Sequence, residues 1–272
     1  MVSFPNCKIN LGLNILQKRV DGYHDIETVF FPIPIYDVLE IITSDEDKTE
    51  VNNTGIIIDS PGSNLCVKAY HLIQKDFPQL PSIKMHLHKV IPAGAGLGGG
   101  SADAAFTLVL LDKKYKLNIP SRQLFEYALQ LGSDCPFFLL NKPCIASRRG
   151  EQLEPVTLSL AAYKMLIVNP GIHINTKNIF EKTVPFVPGK RIKEIIHQPV
   201  ASWKDELVND FEKIIEPMYP VIKELKEDMY RHGAVYAAMT GTGSTVYGIF
   251  DAGEEIDFVP GKHYFHQWIQ LV

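Results

Sequence analysis

The chain has 272 residues, 46% of them hydrophobic and 21% charged, with a formal net charge of −4. That length suits one large or two modest domains with a sizeable core. The balance argues against nucleic acid or an anionic membrane as a partner, and no apolar run is long enough to span a bilayer.

The first residues show neither the basic start nor the apolar core of a signal peptide. Cys7, Cys66, Cys135 and Cys144 form no C-x-x-C pair. They read as reduced thiols of a cytoplasmic protein rather than a metal site or a disulfide frame.

Lys8 to Ile15 alternates strictly, which predicts a strand. Ile9, Leu11, Leu13 and Ile15 face one way; Lys8, Asn10, Gly12 and Asn14 face the other. The polar face either meets solvent or lines a cleft, and periodicity alone favours solvent. Asp21-Gly22 marks a turn into a β-rich run ending at Phe31. Tyr23 and His24 are either ordinary strand residues beside that turn or a place for a flat ligand to stack. Val38 to Thr43 is another strand, and Ser44 to Asn53 reads as an exposed hairpin connection. Ser63-Asn64 looks like a helix start, with an apolar stripe of Leu65, Ala69, Leu72 and Ile73 before Pro78.

Ser82 to Ile91 alternates as a strand, placing His86 and His88 on one face as surface histidines. It leads into Pro92, Ala93, Gly94, Ala95, Gly96, Leu97, Gly98, Gly99, Gly100, Ser101 and Ala102. So many glycines cost backbone entropy, and their use is positive φ or close approach of a ligand to the backbone. Ser101 can cap the apolar helix that follows, giving a strand, a glycine loop and a helix. A helix start directs unpaired N–H groups and the positive dipole end at one point, so this loop reads as a phosphate cradle. It lacks the lysine of a P-loop, and no acidic residue about 20 positions on completes a dinucleotide fingerprint.

A further helix runs from Pro120-Ser121 to Gly132. Asp134 then heads an apolar segment, Cys135-Pro-Phe-Phe138, either as a helix N-cap or as a general base toward a hydroxyl. After a strand at Cys144 to Ser147, the charged residues 148–151 and Pro155 suggest a boundary, giving lobes 1–155 and 156–272. Tyr163 to Val168 is a buried strand, and Asn175 can cap a short helix carrying Phe180. Two or three helices lie between Arg191 and His232, the last starting near Pro217 and ending at Gly233. Strands at Ala234 to Met239 and Thr245 to Phe250 flank Thr240-Gly-Thr-Gly-Ser244. That turn is either a plain hairpin or a small-residue fold over a phosphate.

Lys8 with Asn10, the glycine loop, and the late Thr240 to Ser244 turn together resemble the GHMP small-molecule kinases, such as galactokinase, homoserine kinase and mevalonate kinase. Asp21-Gly-Tyr-His24, Gly132-Ser-Asp-Cys-Pro-Phe-Phe138 and Asn209-Asp-Phe-Glu212 narrow the likeness to members that act on an alcohol linked to cytidine diphosphate, in the non-mevalonate route to isoprenoid precursors. The chain departs at Arg148-Arg149-Gly150-Glu151, where relatives often carry Gly-x-Gly-Glu. The resemblance implies an α+β fold with a ribosomal-S5-like first lobe and a ferredoxin-like second lobe. It implies ATP and Mg²⁺, with residues 92–102 on the nucleotide and the Ser101 hydroxyl toward the metal. It makes Asp134 the catalytic base, with Lys8 beside it. It gives substrate contacts to Asn10, Tyr23, His24, Phe30, Phe180, Thr240, Gly241, Thr242 and Gly243. The partners it implies are ATP and a cytidine diphosphate-linked sugar alcohol, with no nucleic acid, no membrane and no statement on oligomeric state. The alternatives are a kinase of the same family for homoserine or mevalonate, or a catalytically silent nucleotide sensor on that fold.

Overall fold

A computed structural model describes residues 1–46, 48–56 and 64–271. Its contacts divide into two compact units, one of Met1–Lys8, Pro32–Ala93 and Gly98–Lys142, the other of Ile9–Phe31, Gly94–Leu97 and Pro143–Val272. This division does not follow a single cut at Pro155, because residues 9–31 and 94–97 belong with the second unit.

The first unit is built on a sheet of β1 (Val2–Ser3), β4 (Val38–Thr43), β6 (Ile83–Lys89) and β5 (Glu50–Gly55), in that order. β5 runs parallel to β6, and the other pairings are antiparallel. Four helices accompany it: α1 (Leu65–Asp76), α2 (Gly99–Tyr115), α3 (Ser121–Leu131) and α4 (Cys135–Leu140). Leu39, Ile41, Ile83, Met85 and Leu87 of the sheet pack with Tyr70, Ile73, Leu108 and Leu111 of the helices. Each such aliphatic side chain contributes roughly 1.5–3 kcal/mol by leaving water. The pleat of β6 sends Ile83, Met85, Leu87 and also Lys89 inward, while His86 and His88 face out and share the Thr54 hydroxyl.

In the second unit, β9 (Tyr163–Asn169), β10 (Tyr236–Met239), β11 (Val246–Asp251) and β12 (Phe265–Gln270) form an antiparallel sheet of order β10-β11-β9-β12. Leu166, Val168, Val246 and Phe250 pack with Ile215 of α8 (Glu212–Met218) and Ile222, Leu225 and Met229 of α9 (Pro220–Arg231). A second sheet has the order β2 (Asn6–Lys18), β3 (His24–Tyr36), β7 (Cys144–Arg148) and β8 (Gln152–Pro155), with Phe30 opposite Cys144. Short helices α5 (Thr176–Lys182), α6 (Ile192–Ile195) and α7 (Trp203–Glu206) complete the unit.

The structure departs from the sequence expectations at definite places. Ser44 to Asn53 is not only a connection, since β5 begins within it and pairs with β6. The residues 148–151 lie within and beside a β7–β8 hairpin that reaches Pro155. Four α-helices and a 3-10 helix at Val200–Ser202, not two or three helices, fall between Arg191 and His232, and Pro217 sits inside α8 while Pro220 opens α9. Ser63 lies outside the described residues; Asn64 caps α1, its Oδ1 accepting from Cys66 N at 2.8 Å.

The polar face of β2 is buried, against the expectation of solvent. Lys8, Asn10 and Asn14 are all buried. Partners make this tolerable. In the second unit Thr240 and Tyr247 bond to Asn10, and Asp210 accepts from Asn14 Nδ2 and Ile15 N. In the first unit Lys8 meets Asp134. All four cysteines are buried and unpaired. Among the described residues, no helix is long and apolar enough to cross a membrane.

Candidate active site

In the first unit, Lys8 Nζ lies 3.3 Å from Asp134 Oδ2. Asp134 occupies the residue before α4, but its side chain makes no capping bond. The carboxylate is turned toward the ammonium instead, and it is about one-third exposed while Lys8 is buried. An ammonium held by a strand beside a partly open carboxylate is an arrangement that can take a proton and steady negative charge.

The start of α2 lies against this pair. Gly98 has φ +71°, and a Cβ there would sit 3.1 Å from Lys8 Cε and 3.1 Å from Phe138 Cζ. Only glycine satisfies both the backbone and the space. Gly98 is the N-cap, with no side-chain capping bond, and the helical ladder opens with Ala102 N donating to Gly98 O at 2.9 Å. Ser101 therefore stands inside the first turn of α2 and does not cap it, because the loop's left-handed glycine already ends the turn. The amides of Gly99, Gly100 and Ser101 precede the first helical bond, at the positive end of the dipole. The Ser101 hydroxyl bonds to the Cys135 thiol, which burial pushes up to about 12. Cys135 is thus a neutral, inert thiol rather than a nucleophile.

In the same unit, the Lys89 ammonium donates to Asp37 and, at 2.8 Å, to Asp103 Oδ2. Asp37 also accepts from Val90 N at 2.6 Å and Ile91 N at 2.9 Å. Burial pushes the Asp103 carboxyl up to about 7, against the pull of Lys89 and with the push of Asp37. Burial draws Lys89 down, but the charges of Asp103 and Asp37 outweigh it and leave Lys89 raised.

In the second unit, the loop segment 94–97 packs on the turn after β10. A Cβ on Gly96, at φ +78°, would come within 2.2 Å of Thr240 O. The buried Thr240 hydroxyl accepts from Asn10 N at 2.9 Å and donates toward Gly96 O at 3.3 Å. Asn10 Nδ2 donates to Thr28 Oγ1 at 3.0 Å, and Thr28 donates to Gly12 O at 2.5 Å. Ala95 O accepts from Thr245 N at 3.3 Å. Asn10 and Thr240, expected as substrate contacts, spend their polar atoms holding this framework, since both are buried.

His24 is buried and stacks on Phe180, centroids 5.1 Å apart and planes 28° apart. Phe211 braces Phe180 edge-on at 4.9 Å. Burial lowers His24 below its ordinary value, helped by the Lys18 charge. Tyr23 is exposed, with the Arg149 guanidinium 4.1 Å from its ring centroid. Phe30 is fully buried opposite Cys144, so its ring is core and presents no open wall. Thr242 Oγ1 pairs with Thr176 Oγ1 at 2.9 Å. Gly241 and Gly243 take φ of +56° and +84°.

Three groups escaped the sequence reading. Asn209 Nδ2 donates to both Met239 O and Gly241 O at 2.8 Å, fixing the 240–243 turn; the Asn209-Asp-Phe-Glu212 segment was its only signal. His173 packs on Gly94, its Nδ1 3.2 Å from where a Cβ would be. The Lys89, Asp37 and Asp103 cluster left no local pattern at all. Among the described residues no group of three or more His, Cys, Asp or Glu could hold a metal. For Mg²⁺ the Ser101 hydroxyl fits a cation that takes most of its ligands from phosphate and water.

The family model "GHMP kinases N terminal domain" matches residues 64–142, and "GHMP kinases C terminal" matches residues 190–264. A 4-diphosphocytidyl-2-C-methyl-D-erythritol kinase of Bacteroides fragilis is 49% identical over 259 residues, 94% of each chain. The Bacteroides thetaiotaomicron protein of the same name is 50% identical over 254 residues, 92% of each. Among solved structures, a 4-(cytidine 5'-diphospho)-2C-methyl-D-erythritol kinase superposes with TM-score 0.78 and 30% identity, covering 92% of this chain and 90% of the other. A mevalonate kinase superposes with TM-score 0.70 at 14% identity, over 100% and 99% of the two chains, and shows the fold alone.

Proposed function

The chain belongs to the GHMP kinases, which are ATP-dependent phosphotransferases, and we propose that its acceptor is the 2-hydroxyl of 4-diphosphocytidyl-2-C-methyl-D-erythritol. The observation that carries the reading is the Lys8–Asp134 pair standing against the start of α2. The named relatives, at 49% and 50% identity, supply the substrate.

In this reading Asp134 takes the proton from the acceptor hydroxyl as its oxygen bonds to the γ-phosphorus of ATP. The bond to the β,γ-bridging oxygen breaks, and ADP leaves. Phosphoryl transfer needs positioning and charge stabilisation more than covalent help. Lys8 supplies a fixed positive charge beside Asp134, and the amides of Gly98 to Ser101 receive phosphate oxygens. Bound Mg²⁺ would neutralise phosphate charge, with Ser101 as this chain's donor to it. His24, Phe180 and Tyr23 are the residues for the cytosine ring. Asn10 and Thr240 hold the 94–97 and 240–243 segments in place for the diphosphate. The buried, unpaired cysteines support work in the cytoplasm.

The test is ADP formation from ATP with three acceptors: the diphosphocytidyl alcohol, homoserine and mevalonate. Turnover is expected with the first alone, and CMP or CDP should compete with it. Turnover with either of the others, or none with any, would sink the assignment.

A further inference from the structure

The buried Lys89 ammonium is tied, through Asp37 and Asp103, to the chain on either flank of the glycine loop. On the incoming side, Lys89 is the last residue of β6, and Asp37, one of its two carboxylate partners, accepts the next two backbone amides, Val90 and Ile91. On the outgoing side, its other partner is Asp103, in the second turn of α2. Gly99, at the start of that helix, has no room for a side chain: a Cβ would sit 2.9 Å from Ile91 Cγ2 and 3.3 Å from Lys89 Nζ. The two ends of the loop are therefore pinned to one another by a single cation.

Such a group is a poor way to gain stability. Removing a lysine and two aspartates from water costs several kcal/mol per ion, and apolar residues of similar size often do as well. What charges supply and apolar packing does not is direction. Asp37 spends three acceptances on one ammonium and two named amides, which fixes where the chain leaves β6. The loop beyond needs such fixing, because Gly94, Gly96 and Gly98 all hold left-handed φ and each has much freedom to lose. A phosphate site whose amides are already in place binds more tightly than one that must be ordered by the ligand.

We propose that Lys89 and Asp103 are positioning residues for ATP, holding the entry and exit of the glycine loop so that the amides at the start of α2 are preset for phosphate. This rests on the kinase reading above. Asp103 is the residue to change, since its loss still leaves the Lys89 ammonium paired with Asp37. Asp103→Ala removes the acceptor at the helix end; Asp103→Asn keeps an oxygen there to accept from Lys89.

The experiment is calorimetric titration of the full-length chain and both variants with AMPPNP, and separately with CDP. Asp103→Ala should weaken AMPPNP about tenfold and leave CDP within about twofold, while Asp103→Asn should recover most of the nucleotide affinity. The proposal is overturned if Asp103→Ala binds AMPPNP as the parent does, if both ligands weaken alike, or if Asp103→Asn is as weak as Asp103→Ala. A parent chain that binds CDP but no AMPPNP would remove the kinase reading itself, and the positioning role with it.

Discussion

Lys8 and Asp134, far apart in the chain, meet at 3.3 Å beside the left-handed Gly98. The strand supplies a rigid, buried cation, and the residue before α4 supplies a carboxylate that is about one-third exposed. An acidic residue at a helix start ordinarily bonds to the helix's own amides. Here it does not, and that departure points to chemistry.

Asp134→Ala should therefore lower kcat by about 10²–10⁴ or more, the range expected of a lost general base. AMPPNP affinity should stay within about threefold of the parent, because the loop amides are untouched. Turnover measured under saturating ATP, with calorimetry alongside, decides it; a variant with normal kcat would exclude Asp134 from the role.

The loop glycines should differ sharply in tolerance. Gly96→Ala places a Cβ 2.2 Å from Thr240 O at φ +78°, whereas the nearest atom to a Cβ on Gly100 is 4.0 Å away and no positive φ is involved. Gly96→Ala should cost more than about 1–3 kcal/mol of stability, since it adds a clash to a strained backbone. Gly100→Ala should be within about 0.5 kcal/mol of the parent in denaturant unfolding. Equal midpoints for the two would contradict the packing described.

Thr240→Val removes the acceptor of Asn10 N and the donor to Gly96 O without changing the side chain's shape much. A buried donor left unpaired costs about 1–3 kcal/mol. Both stability and CDP affinity should fall; a loss of affinity with unchanged stability would mean that Thr240 touches the ligand instead.

The His24–Phe180 stack should respond to pH and to mutation. Burial holds His24 below its ordinary value of 6.5, so the folded chain favours the neutral ring. The sign follows: the linked stability is present above 6.5 and is lost as pH falls through the lower folded value. An NMR titration should find a midpoint under 6.5. Phe180→Ala should weaken CDP but not AMPPNP; a change in AMPPNP alone would refute the aromatic pocket.

Much of this protein was readable from local pattern. The alternation of Lys8 to Ile15 and of Ser82 to Ile91 gave strands, and the run from Ala102 to Leu111 gave a helix, because periodicity is imposed by backbone geometry. The glycine loop announced itself by composition, and the family segments named Lys8 and Asp134. Burial of the polar strand face was not readable, because the residues that cover Asn10 and Asn14 come from Thr240, Tyr247 and Asp210, distant along the chain. Nor was the parallel pairing of β5 with β6.

Chain order thus settled which residues carry charge and which can bend, since propensity and hydrophobic period act over a few neighbours. The folded structure alone decided which charges meet. Lys89 looked like one more residue at a strand's end; its inward pleat and two distant carboxylates make it a buried anchor. A side chain's electrostatic partners depend on where the whole backbone goes, and no short window of sequence contains that information.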